Sequence, residues 1–96
     1  MIIIHDTFVA KPGNASKMAK LFKEAMSGNP YLKNIMTDMT GQYNRVIMVS
    51  EYADLTAYEN SWKEMEHSEE AKKAMEKMAG YQDMYISGSR QIFRVW

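Results

Sequence analysis

Cysteine is absent from this 96-residue chain, which excludes disulfides, thiolate metal centres, thiol catalysis and iron–sulfur clusters. Net charge is missing too. Twelve Lys and Arg balance twelve Asp and Glu, leaving no field to attract nucleic acid or an anionic membrane and no charge barrier to self-association. No segment approaches the roughly 20 apolar residues of a membrane span. The opening MIIIHDTFVAKPG breaks its apolar run at His5-Asp6 and lacks the basic start and cleavage site of a secretory signal. These absences set the expectation of a soluble, cytoplasmic protein. A Gly-rich phosphate loop, a nucleophile elbow, a Ser-His-Asp order and a zinc helix motif are all lacking, so nothing in the chain calls for a cofactor or a metal.

What is present reads as one small α+β domain over residues 1–96. Ile2 to Ala10 is rich in β-branched residues and runs into Lys11-Pro12-Gly13, a strand and its stop. Asn14 stands at an N-cap position, and Met18, Leu21, Phe22 and Ala25 follow at helical spacing until Ser27-Gly28-Asn29-Pro30. Leu32 to Thr40 is a weaker strand pattern. Gly41-Gln42-Tyr43-Asn44 then turns the chain into an apolar strand, Arg45 to Tyr52, as a hairpin. Asp54 caps a helix carrying Leu55, Tyr58, Trp62 and Met65 at helical spacing, and His67-Ser68 breaks it. Ser68 can cap a further helix with a stripe of Ala71, Met75 and Met78, ended by Gly80. Tyr85 to Trp96 is a last strand, with an interruption expected at Ser87-Gly88-Ser89. The order is β-α-β-β-α-(α)-β, the ferredoxin-like plan with a four-stranded antiparallel sheet.

The strands carry apolar residues on both faces. Ile2, Ile4 and Phe8 point one way and Ile3 and Val9 the other; Val46 and Met48 oppose Ile47 and Val49. Helices on one side of such a sheet cover only one face. Each fully buried aliphatic or aromatic side chain contributes about 1.5–3 kcal/mol, so a wet second face forgoes a large driving force. A second copy of the chain packed on that face is the expected answer.

The early strand running into Lys11-Pro12-Gly13 and the block Gly41…Asn44-x-Val46-Ile47…Tyr52-x-Asp54-Leu55, continued through Trp62 to His67-Ser68-Glu69, resemble the dimeric α+β barrel superfamily. That superfamily includes NIPSNAP-type domains, antibiotic-biosynthesis monooxygenases and haem-degrading monooxygenases. The resemblance implies two sheets packed into a barrel, helices outside, and an apolar, aromatic-lined pocket between helices and sheet. It implies either a cofactor-independent monooxygenase acting on an aromatic or quinol-type small molecule, or a non-enzymatic small-molecule-binding or interaction module of NIPSNAP type. Haem-degrading members carry an asparagine in the first strand, where this chain has His5 and Asp6. They also carry a histidine one helix after the tryptophan, where Ala71 to Met78 holds none.

His5 and Trp62 are the catalytic candidates. An imidazole titrates near neutrality and serves as acid or base, and the indole matches the tryptophan of the haem-degrading pattern. Asp6, Tyr52, Tyr58 and His67 are the substrate-binding candidates. Asp6 adjoins His5 on a strand, so the two side chains point to opposite faces; in an apolar strand its carboxylate needs a partner such as Arg90 or Arg94. Tyr58 and Trp62 lie one turn apart and form an aromatic wall for a flat ligand, and Tyr52 ends its strand beside them. His67 with Glu66, Glu69 or Glu70 matches no metal-ligand spacing. The strand Arg45 to Tyr52 has no central aromatic of the kind that stacks RNA bases, so the expected partners are a second copy and an apolar or aromatic small molecule, with no nucleic acid and no membrane.

Overall fold

The computed structural model describes residues 1–41 and 43–96. Strands β1 (Ile2–Ala10), β2 (Leu32–Thr37), β3 (Arg45–Tyr52) and β4 (Tyr85–Arg94) form one antiparallel sheet in the order β2-β3-β1-β4. Helix α1 (Ala15–Ala25) joins β1 to β2. Helices α2 (Leu55–Glu66) and α3 (Glu69–Lys77) lie between β3 and β4. The α+β, ferredoxin-like plan read from the sequence is the one observed.

One sheet face meets the helices. Phe8, Ile35, Val46 and Met48 pack there with Ala10 against Met18 and Phe22 of α1, and the Phe8 and Phe22 rings lie 5.3 Å apart. Antiparallel pairing fixes the other face: His5 stands opposite Val49 and Gln91, Thr7 opposite Ile47 and Ser89, and Ile3 opposite Phe93. No helix covers this side. Met36 and Phe93 on it stay 40% and 45% exposed, and Ile3, Val9 and Ile47 are only partly buried.

The break at His67–Ser68 is as expected. His67 caps the end of α2, and the Ser68 hydroxyl accepts the Ala71 N–H at the start of α3. Asp54 likewise caps α2, its carboxylate accepting the Ala57 N–H at 2.8 Å.

Several local expectations are corrected by the structure. Strand β2 ends at Thr37 instead of Thr40, because Asp38 turns its carboxylate to the Arg45 N–H at 2.7 Å. Asn14 occupies the N-cap of α1 without a side-chain hydrogen bond. Strand β4 continues through Ser87-Gly88-Ser89 paired to β1, and the expected interruption is a register shift directly beside them, where Val9 pairs with Ser87 but Ala10 with Tyr85, skipping Ile86. The α3 stripe is not core: no residue of that helix is buried and Met75 is 57% exposed. Met78, just past its end, does pack on the core cluster. The expected hairpin turn includes Gln42, which lies outside the described residues.

Candidate functional site

Tyr52 ends β3 and organises the helix side of the sheet. Its ring stacks on Tyr31 at 4.5 Å and meets Tyr58 of α2 edge-on at 5.0 Å; Tyr58 in turn meets Trp62 at 6.1 Å. Four aromatic rings from a loop, a strand end and one helix face therefore run as a connected row. Their placement follows from local chemistry. The Asn29 carboxamide accepts the Tyr31 N–H at 2.9 Å and orients that loop, while the Asp54 cap fixes the phase of α2 so that Tyr58 and Trp62 fall on one side.

At the Trp62 end stands a cation. Arg90 of β4 lies directly opposite Asp6 of β1, and its Nε donates to the Asp6 carboxylate at 2.5 Å. The same guanidinium sits 5.5 Å from the Trp62 ring centre and 5.9 Å from that of Tyr58. The Asp6 hydrogen bond holds Arg90 charged even beyond its ordinary range, with desolvation opposing. The Tyr58 hydroxyl is buried with no hydrogen-bond partner.

At the Tyr31 end is a space. A cleft of about 480 Å³ opens between the end of α1 with its following loop, α2 and α3. Tyr31, Tyr52, Ser61 and Met65 line it, and Ala71 and Ala74 keep the α3 wall low. Ser61 is the buried residue of α2. Its hydroxyl donates to the Tyr58 carbonyl at 2.7 Å and lies 3.4 Å from the Tyr52 hydroxyl. Burial pushes the Tyr52 phenol above its ordinary value, and the Ser61 contact opposes that shift.

The sequence candidates divide accordingly. Asp6, Tyr52, Tyr58 and Trp62 come together on the helix side. His5 does not join them: it lies on the opposite face, its ring 5.1 Å from Phe93. His67 is exposed at the end of α2, engaged through its backbone N–H to the Glu64 carbonyl. Among the described residues no group of three His, Asp or Glu is placed to hold a metal, and no helix is long and apolar enough to cross a membrane. Tyr31 and Ser61 escaped sequence reading. Tyr31 follows the Asn29-Pro30 stop and Ser61 is a small polar residue between two aromatic positions, so neither carries a pattern of its own. Arg90 was visible only as one of two partners for Asp6.

No family model matches the chain, and no curated protein matches it in sequence. Solved structures do match in fold. A NIPSNAP domain protein from Burkholderia xenovorans superposes with a TM-score of 0.81 at 11% identity, covering 100% of this chain and 95% of that one. A NIPSNAP family protein from Agrobacterium tumefaciens gives 0.78 at 14% identity, covering 97% and 90%. The fold is the NIPSNAP and antibiotic-monooxygenase fold. An antibiotic biosynthesis monooxygenase gives a TM-score of 0.63 at 11% identity, covering 100% of this chain and 99% of that one. The NIPSNAP structures therefore follow the chain's course more closely than the monooxygenase does.

Proposed function

We propose that this NIPSNAP-like domain is a cytoplasmic homodimer that binds an apolar or aromatic small molecule in the cleft beside Tyr52. The observation that carries this reading is the cleft itself. Its volume of about 480 Å³ lies in the range of about 300–1,000 Å³ used for small ligands, and two stacked phenol rings form part of its wall. The row continuing through Tyr58 to Trp62 and the Arg90–Asp6 pair stiffens that wall from behind. The uncovered apolar sheet face, with Met36, Ile47 and Phe93, supports pairing with a second copy.

The test is thermal unfolding with a panel of flat apolar molecules, hydroquinones and anthrones among them. A ligand at 100-fold excess over Kd adds about 2.7 kcal/mol, which raises the midpoint of a domain this size by several degrees. No shift across the panel contradicts the reading.

A second reading, a cofactor-independent monooxygenase acting on a quinol-type substrate, is favoured by the end-to-end overlap with the monooxygenase structure. Trp62 and His5, the catalytic candidates of the sequence, stand on opposite faces of the sheet, so one substrate on the helix side meets Trp62 and not His5. Oxygen uptake with a bound hydroquinone, lowered in Trp62→Phe and kept in His5→Ala, supports it. A bound ligand that is returned unchanged and consumes no oxygen leaves the binding module alone.

A further inference from the structure

Helix α3 presents two lysines to the cleft. Lys73 and Lys77 both line it, and their i,i+4 spacing sets the two ammonium groups side by side on one helix face. The ion pairs among the described residues are Lys72–Glu69 and Arg90–Asp6; neither Lys73 nor Lys77 is paired, although Glu70 stands three residues before Lys73 on the same helix. Next to these two cations lies an apolar and phenolic wall formed by Tyr31, Tyr52, Met65 and Ala74.

Two carboxylates also line the cleft, Glu64 and Glu70, but they flank the His67–Ser68 break, where α2 gives way to α3. Glu70 has a structural role there, in the first turn of α3 at the helix's positive end. Lys77 closes α3 at its other end. Along α3 the charged residues of the cleft run Glu70, Lys73, Lys77, so the two lysines lie toward the C-terminal part of the helix.

We propose that the ligand is an amphiphilic carboxylate, its apolar or aromatic body against Tyr31 and Tyr52 and its carboxylate held by Lys73 and Lys77. This rests on the reading that the cleft is a ligand site and adds the chemical class of what fills it. Lys73 is exposed, mid-helix and, among the described residues, in no ion pair. Two charge-assisted contacts at a half-open site give the carboxylate an advantage of about tenfold over an uncharged analogue of the same shape, and added salt shrinks it.

The experiment is titration calorimetry at low salt with three probes of matched body: phenylhexanoate, phenylhexanol and phenylhexylammonium. The acid is expected to bind about tenfold tighter than the alcohol, and the ammonium weaker than both. In Lys73→Gln/Lys77→Gln the acid should fall to the affinity of the alcohol, with the alcohol unchanged. Both lysines are exposed, and an unchanged circular dichroism spectrum confirms that the double variant folds. Equal binding of acid and alcohol, an acid advantage that survives the double substitution, or tightest binding by the ammonium overturns the carboxylate assignment while leaving the cleft as a binding site. Binding by none of the three overturns the assignment and removes the cleft reading with it.

Discussion

Arg90 on β4 stands opposite Asp6 on β1 and donates its Nε to the Asp6 carboxylate while its guanidinium lies over the Trp62 indole. One side chain thereby ties the edge strand to its neighbour and to α2. The Asp6 side chain is only 18% exposed, against 47% for Arg90, so the two partners are not equivalent. Arg90→Met leaves a largely covered carboxylate unpaired and is expected to cost about 1–3 kcal/mol in urea unfolding. Asp6→Asn should cost less, because the guanidinium keeps its aromatic contacts and its access to water. Equal losses from the two single variants would contradict this asymmetry.

Phe22 and Met75 both fall at helical spacing in apolar stripes, yet the structure buries the first and exposes the second. Phe22 touches the rings of Phe8 and Tyr81, so Phe22→Ala should cost about 3–5 kcal/mol. That is a large share of the roughly 5–15 kcal/mol available to a small domain. Met75→Ala should stay within about 0.5 kcal/mol. Chemical denaturation of the two variants side by side checks the contrast.

Tyr52 makes stability sensitive to alkali. Burial, above all, raises its folded-state pKa above the ordinary value of a tyrosine phenol. The folded state therefore holds the phenol proton more tightly than the unfolded chain, and stability falls as pH rises above about 10 toward the folded value. Below about 10 both states are protonated and the contribution is constant. Unfolding curves from pH 8 upward should show this alkaline decline in the wild type and a shallower one in Tyr52→Phe. Identical slopes would show that the phenol is not the group responsible.

Ile47 sits near the middle of the bare sheet face, paired with Thr7 and Met36. A glutamate there would carry its charge into the apolar contact between two sheets, at a cost no partner offsets. Sedimentation should show the wild type as a dimer and Ile47→Glu as a folded monomer. A wild type that sediments as a monomer at every concentration removes the proposed sheet-to-sheet contact.

Much of the fold was legible because its signals are local. The run of Val46 to Val49, the Asp54 and Ser68 caps and the His67–Ser68 break each depend on neighbours in sequence, and each appears where expected. The end of β2 was not legible, since it depends on Asp38 reaching Arg45 across the turn. The register shift of β4 at Ile86 arises against Val9 and Ala10, which sequence places far from it. The site shows the same division. Tyr52, Tyr58 and Trp62 could be grouped because a strand end and one helix turn bring them together. Tyr31 joins them only by long-range stacking. The opposite placement of His5 and Asp6 follows from strand alternation alone.

The most direct test of the cleft as a ligand site is to fill it. Ala74 lines the cleft from α3 and is only partly buried, so Ala74→Trp places an indole in the space without opening the Phe22 core. Thermal unfolding of wild type and Ala74→Trp, each with phenylhexanoate, should show a ligand-induced rise in the wild type and none in the filled variant. Equal rises in the two proteins would place the ligand elsewhere, and no rise in either would contradict the account.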